Sequence, residues 1–349
     1  LAMHLEHQDE VVMNFSVFAG ITVALCFGAG IGAAATLDDV KARGKLNCGV
    51  NEHLAGFAAR GANDEWNGFD VAFCRAVAAA VLGDPSAVEF VDLTGQERFT
   101  ALASGQIDVL SRNTTWTFTH DVEMKFDFAG VNYYDGQGFL SHRGLVEGAV
   151  AGLQEATVCV SHSTTTIGNL EDFIALNGLD WEVMPFESSQ GRNDAFFARR
   201  CELLTADRLV LASLRAAAVD DPAQYLLHEE VISKEPLVAN VRARDMAWGN
   251  VVRWAILATL LAEEKGVTRD NYREHLESPD PAVRRLLGVD PMPGTAAAGL
   301  DPAWPRRVVA GAGHYGEIFE RHLGRGSPLG IERGLNRLWR DGGVLYACL

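Results

Sequence analysis

The sequence is short of basic charge, with 30 Lys and Arg against 46 Asp and Glu and a formal net charge of −16. A polyanion is held by a net basic surface, so nucleic acid is excluded as a partner. The six cysteines include no CxxC pair. Zinc sites bring cysteines in close pairs, so neither a metal nor another cofactor is expected. No nucleophile-elbow serine, HExxH or phosphate-binding glycine loop occurs either, which leaves common hydrolase, metalloprotease and nucleotide chemistry without its residues. The apolar run Trp254 to Ala262 is short and bracketed by Arg253 and Glu263, so it reads as a core helix and not a membrane span.

The first 35 residues lack Lys and Arg altogether. Within them, Phe15 to Ala35 is uncharged, dilutes into Gly and Ala, and ends in the small residues Ala33-Ala34-Ala35 that a signal peptidase requires. That predicts a secretory signal over residues 1–35, cleaved near Ala35. The missing basic n-region is a departure, and Met13 is a candidate true start. Leu25 before Cys26 is too large for a lipoprotein cleavage site, so no lipid anchor is expected.

What is present fits a folded chain. At 349 residues with 48% hydrophobic and 22% charged, it has the length and composition of about two globular units. Removing Cys26 with the signal leaves Cys48, Cys74, Cys159, Cys201 and Cys348. In an oxidising compartment these predict Cys48–Cys74 and Cys159–Cys201 disulfides, each worth about 2–4 kcal/mol, with Cys348 unpaired. Four small buried thiols are the alternative.

From Leu46 short strands alternate with helices: Leu46 to Val50, a helix near Phe69 to Val81, Val88 to Asp92, a helix near Gln96 to Ala103, then Ile107 to Leu110. Such alternation implies a parallel sheet covered by helices. A second set runs through Thr157 to Val160, a polar loop and helix near Ile167 to Leu176, Trp181 to Pro185, Gly191 to Arg199, and Cys201 to Thr205. Ile232 to Leu237 reads as an extended connector, because Pro236 disfavours helix before it. Helices are expected after it over Trp248 to Lys265, Tyr272 to Glu277, Pro281 to Leu287, Trp304 to Ala312 and Tyr315 to Leu323.

Several segments carry a resemblance. They are Trp66-Asn67-Gly68-Phe69-Asp70-Val71, Glu97-Arg98-Phe99-Thr100-Ala101-Leu102, Asp108 to Thr117 (Asp-Val-Leu-Ser-Arg-Asn-Thr-Thr-Trp-Thr), Phe128 to Phe139, and Tyr315-Gly316-Glu317-Ile318-Phe319-Glu320-Arg321. In these the chain resembles the periplasmic substrate-binding proteins of ABC importers for polar amino acids, and among them the general L-amino-acid-binding branch. The resemblance implies an α/β, two-lobed periplasmic binding protein of type II with the ligand cleft between lobes. Residues 36–140 would begin lobe one, 141–239 form lobe two, and 240–349 complete lobe one and add C-terminal helices. It further implies a non-enzymatic role, in which an L-amino acid is captured in the periplasm and delivered to membrane permease subunits. A sensing protein without transport, or a periplasmic enzyme using His120 and Asp207 as base and acid, are the alternatives.

A free amino acid is a zwitterion, so its site must offer donors or a cation to the carboxylate and an anion to the ammonium. By similarity Asn113 and Thr115 serve both groups from lobe one, and Thr165, at the start of a helix whose free N–H groups favour an anion, meets the carboxylate from lobe two. Asp207 occupies the position whose carboxylate pairs with the ammonium, while Phe57 and Tyr134 are candidates to pack on the ligand side chain. Blander readings stand beside these: a polar turn at Asn113 to Thr117, a helix N-cap at Asp207, and core packing for Phe57 and Tyr134. The main departure is His120, where the family carries an arginine that grips the carboxylate bidentately. If the imidazole substitutes for it, affinity should rise as pH falls from about 8 to about 6.

Overall fold

Alternating apolar strands and helices sort into two five-stranded sheets. The computed structural model describes residues 36–347 apart from 125, 147, 163, 219 and 220. The expected signal with Cys26, together with Ser163 and Cys348, therefore lies outside the described residues.

Helix α1 (Thr36–Arg43) leads into β1 (Leu46–Val50), a small hairpin of β2 (Ala59–Arg60) and β3 (Trp66–Asn67), α2 (Phe69–Leu82), β4 (Val88–Asp92), α3 (Glu97–Ser104) and β5 (Val109–Thr115). A short helix, α4 (Phe118–Val122), precedes the long strand β6 (Phe126–Asp135). Past Gly136 come β7 (Gln137–His142), β8 (Glu155–Ser161), α5 (Thr165–Asn177), β9 (Asp180–Phe186), α6 (Ser189–Phe197), β10 (Leu203–Asp207), α7 (Arg208–Ala216) and β11 (Tyr225–Leu227). The chain returns through β12 (Glu235–Arg242) to α8 (Met246–Glu264), α9 (Pro281–Leu286), α10 (Trp304–Ala312) and α11 (Tyr315–His322).

Sheet one has the order β4-β1-β5-β12-β6 and sheet two β11-β7-β10-β8-β9. Each has parallel strands made by helical crossovers (β1 with β4 and β5; β8 with β9 and β10) and an antiparallel side. The chain thus changes sheets at Gly136 and again between Leu227 and Glu235, so the expected boundaries at 140/141 and 239/240 fall inside β7 and β12. Strand pairing sets the break, which a reading of composition does not see. A Cβ on Gly136 would stand 2.3 Å from Val231 Cγ1 and 2.8 Å from the Ser233 carbonyl, so the two passages pack against each other and only glycine fits.

Two further expectations change. The connector over Ile232 to Leu237 ends inside β12, because Pro236, although it has no N–H, offers its carbonyl to Trp116 N at 2.9 Å. The helix expected over Tyr272 to Glu277 is one 3-10 turn, Glu274–Glu277.

Behind sheet one, Phe57, Phe69, Phe73, Tyr133, Tyr315 and Phe319 form an aromatic cluster, and Trp248 donates its indole N–H to the Asp108 carbonyl at 2.9 Å. Sheet two packs Phe139, Val158, Leu170, Trp181 and Leu203. Each such side chain contributes roughly 1.5–3 kcal/mol by leaving water. Cys48 in β1 is bonded to Cys74 in α2, and Cys159 in β8 to Cys201, so each disulfide lies within one half. Among the described residues no helix is long and apolar enough to cross a membrane, and no group of three His, Cys, Asp or Glu side chains could hold a metal.

Candidate functional site

The end of β5 leaves the regular pleat at Asn113, whose φ of +29° is a conformation Asn tolerates better than most residues. Its Nδ2 donates to Asp207 Oδ2 at 3.5 Å, and among the described residues its buried Oδ1 has no partner. A strained backbone with an unsatisfied polar atom is the pattern found at ligand sites.

Asp207 stands at the N-cap position of α7, yet its side chain makes no capping bond. The α7 amide of Leu209 is taken instead by Asp135 Oδ2 at 3.1 Å. Asp207 is thereby left buried and facing Asn113. Burial first, then the charge of Glu235, pushes its carboxyl up to about 7, against the Asn113 bond and the Arg98 and Arg192 guanidiniums. Burial, followed by Asp207, holds Asp135 well above the usual carboxylate range.

Glu235, 2% exposed at the start of β12, gathers the remaining polar groups. Its Oε2 accepts from Thr115 Oγ1 at 2.5 Å and Thr165 Oγ1 at 3.3 Å; its Oε1 accepts from Ser233 Oγ at 2.6 Å and Asn169 Nδ2 at 2.9 Å. One carboxylate therefore joins β5, α5 and the return passage. The sequence reading missed it, although an acid directly before proline, opening the apolar run Leu237-Val238-Ala239, is a legible signal.

Three buried guanidiniums surround these acids. Arg192 of α6 donates to Ser161 Oγ and, through two nitrogens, to Asn193 Oδ1. Arg112 Nε donates to the Leu93 carbonyl at 2.7 Å, and the Asp207 charge acts on its guanidinium. Among the described residues Arg98 of α3 has a single bond, from Nη1 to Thr114 Oγ1 at 3.3 Å.

Of the residues expected at the site, Asn113, Thr115, Thr165 and Asp207 come together around Glu235. The structure ties the His120 ring to its own strand. Its Nδ1 lies 2.9 Å from the Thr115 carbonyl, and because a carbonyl only accepts, Nδ1 carries the proton. Burial, and after it the Arg98 charge, holds the ring below the ordinary histidine range, against the Thr115 bond and Glu235. The shift favours the neutral ring, and among the described residues no hydrogen bond or ion pair joins it to Asp207. Phe57 is a correction: at 1% exposed it stands edge-on to Phe69 and Tyr133, a core role fixed by its size and the apolar cluster around it. For Tyr134 the structure shows a backbone clamped by Asn336, through Tyr134 N (2.7 Å) and O (3.0 Å), and a half-buried ring on which burial and then Tyr346 act.

The family profile of the bacterial extracellular solute-binding proteins, family 3, matches residues 46–261. The chain is 47% identical over 325 residues to the general L-amino acid-binding periplasmic protein AapJ of Rhizobium johnstonii, covering 93% of this chain and 95% of that protein. It is 46% identical over 336 residues to the glutamate/glutamine/aspartate/asparagine-binding protein BztA of Rhodobacter capsulatus, covering 96% and 99%. Among solved structures, an ABC transporter periplasmic binding protein from Brucella ovis with glutathione bound superposes with a TM-score of 0.87 at 45% identity, covering 90% of this chain and 99% of that one. Two sheets linked by paired passages, with buried charges converging between them, thus belong to a chain that is a member of family 3 of the bacterial extracellular solute-binding proteins.

Proposed function

We propose that the chain binds L-amino acids as zwitterions between its two sheets and delivers them to the permease of an ABC importer, working in the periplasm after loss of its N-terminal signal. The observation that carries this reading is Asp207. Relieved of capping by Asp135 and held by Asn113, it is a buried acid whose raised pKa a ligand ammonium would reverse. Asn113, Thr115 and Thr165 supply the neighbouring polar atoms, and the helix start at Thr165 adds the positive end of a dipole. The names of AapJ and BztA support amino acids as the ligand class. Glutathione is a second reading, favoured by the Brucella ovis structure, because its γ-glutamyl end carries the same ammonium and carboxylate on one carbon.

Calorimetry against the twenty L-amino acids and glutathione tests both. The expected outcome is binding with Kd near micromolar, about −8 kcal/mol. No heat and no thermal shift with any of them would sink the assignment.

A further inference from the structure

Arg98 lies on the buried stripe of α3 with Ala101 and Leu102, at i, i+3 and i+4, and is 6% exposed. A guanidinium has five N–H donors. Among the described residues one is used, at a long 3.3 Å, and the buried Nε has no partner. Among the described residues no carboxylate reaches Arg98 at ion-pair distance. The nearest help is remote and the nearest charge is hostile: burial, then the like charge of Arg112, pushes Arg98 down to about 9, and only Asp207 opposes. A cation this buried with so few partners is costly unless an anion completes it.

Its surroundings say which anion. Arg98 and His120 pack against the same ring: Arg98 Cζ is 4.5 Å from the Phe99 centroid, and the His120 ring 4.9 Å. The guanidinium therefore occupies the neighbourhood of position 120. The Asp207 charge acts on it without an ion pair between them, a separation of opposite charges that an ammonium and a carboxylate on one molecule would bridge.

We propose that Arg98 seats the ligand's α-carboxylate in place of a side chain at position 120, an assignment that rests on the amino-acid reading above. His120, neutral and tied to the Thr115 carbonyl, then serves to hold Phe99 and thereby the guanidinium.

The test uses the full chain and calorimetry with whichever of the twenty amino acids binds tightest, beside its α-carboxamide, which keeps the ammonium and loses the carboxylate charge. Arg98→Met should weaken the amino acid by about 100-fold and the carboxamide by no more than about threefold, because only the former loses a charge-assisted pair in a dry site. Arg98→Lys keeps the charge without the planar fork and should fall between. Melting without ligand separates this role from a structural one: deleting an under-partnered buried cation leaves Tm unchanged or higher, whereas deleting a structural one lowers it. Equal losses for amino acid and carboxamide overturn the assignment, as does a lowered ligand-free Tm or a variant that does not fold. A wild type that binds no amino acid sinks the function and this assignment together; binding that Arg98→Met leaves intact sinks this assignment alone.

Discussion

Arg98 and Arg192 approach the same acid, Asp207, from helices on different sheets, and both are buried. Arg192 bonds through three nitrogens to Ser161 and Asn193, while Arg98 has one long bond to Thr114. The difference separates two uses of a buried charge. One is finished within the fold, where it ties α6 to β8; the other is held in place with its donors unspent. Burial alone does not mark a binding residue, and the count of partners does.

The largest expected effect removes what the two arginines share. Asp207→Ala should weaken amino-acid binding by about 3–5 kcal/mol, roughly 150- to 4,000-fold, since a buried ammonium would lose its counter-charge. Tm should hold, because the Asp207 side chain makes no capping bond to α7. An unchanged Kd would place the ammonium elsewhere. Next comes the comparison itself: Arg192→Met should cost about 2–4 kcal/mol of stability, stranding Ser161 and Asn193, where Arg98→Met should cost none. Equal losses in denaturant melts of the two variants would erase the distinction.

A smaller effect concerns pH. Asp207 is faced by Asn113, Glu235, Asp135, Arg98 and Arg192, and the ammonium needs it ionised. With its carboxyl pushed up to about 7, binding takes a proton off Asp207 below that pH. Affinity should therefore rise about tenfold between about pH 6 and about pH 8, the reverse of the trend expected from a cationic His120. The ligand-free fold should move the other way. Asp70, also pushed up to about 7, by burial, and Asp207 contribute stability that is full below the ordinary carboxylate range and lost as pH rises through about 7. Calorimetry at three pH values, with melts of the free protein, reads both slopes; a falling affinity would return the site to an imidazolium.

Much of this molecule was legible in the chain. β1 and β4 lie where the apolar runs Leu46 to Val50 and Val88 to Asp92 place them, and α2 opens at Phe69 as expected. β6 and β7 were not picked out as strands, because they meet at Gly136 and belong to different sheets, a division decided by long-range pairing. At the site, a motif pointed to Asn113, Thr115, Thr165 and Asp207, but Glu235 comes to them only through tertiary contacts that no spacing encodes. Arg98 was half-legible. An arginine at i beside Ala101 and Leu102 puts a charge on an apolar face, which asks for a partner, yet the lack of that partner is visible only in three dimensions.

The smallest expected effect bears on His120→Arg. By family pattern an arginine there should tighten binding. In this structure burial favours the neutral ring, its Nδ1 proton is committed to the Thr115 carbonyl, and the Arg98 charge already acts on it. A second guanidinium would meet that charge in a partly dry site, so repulsion offsets most of any new bond to the carboxylate. Kd should change by no more than about threefold, roughly 0.7 kcal/mol. The same substitution made on top of Arg98→Met meets no such charge and should recover about tenfold or more of the lost affinity. If His120→Arg instead tightens the wild type tenfold and rescues nothing in the Arg98→Met background, the carboxylate seat lies at position 120, and the contrast between Arg98 and Arg192 concerns packing alone.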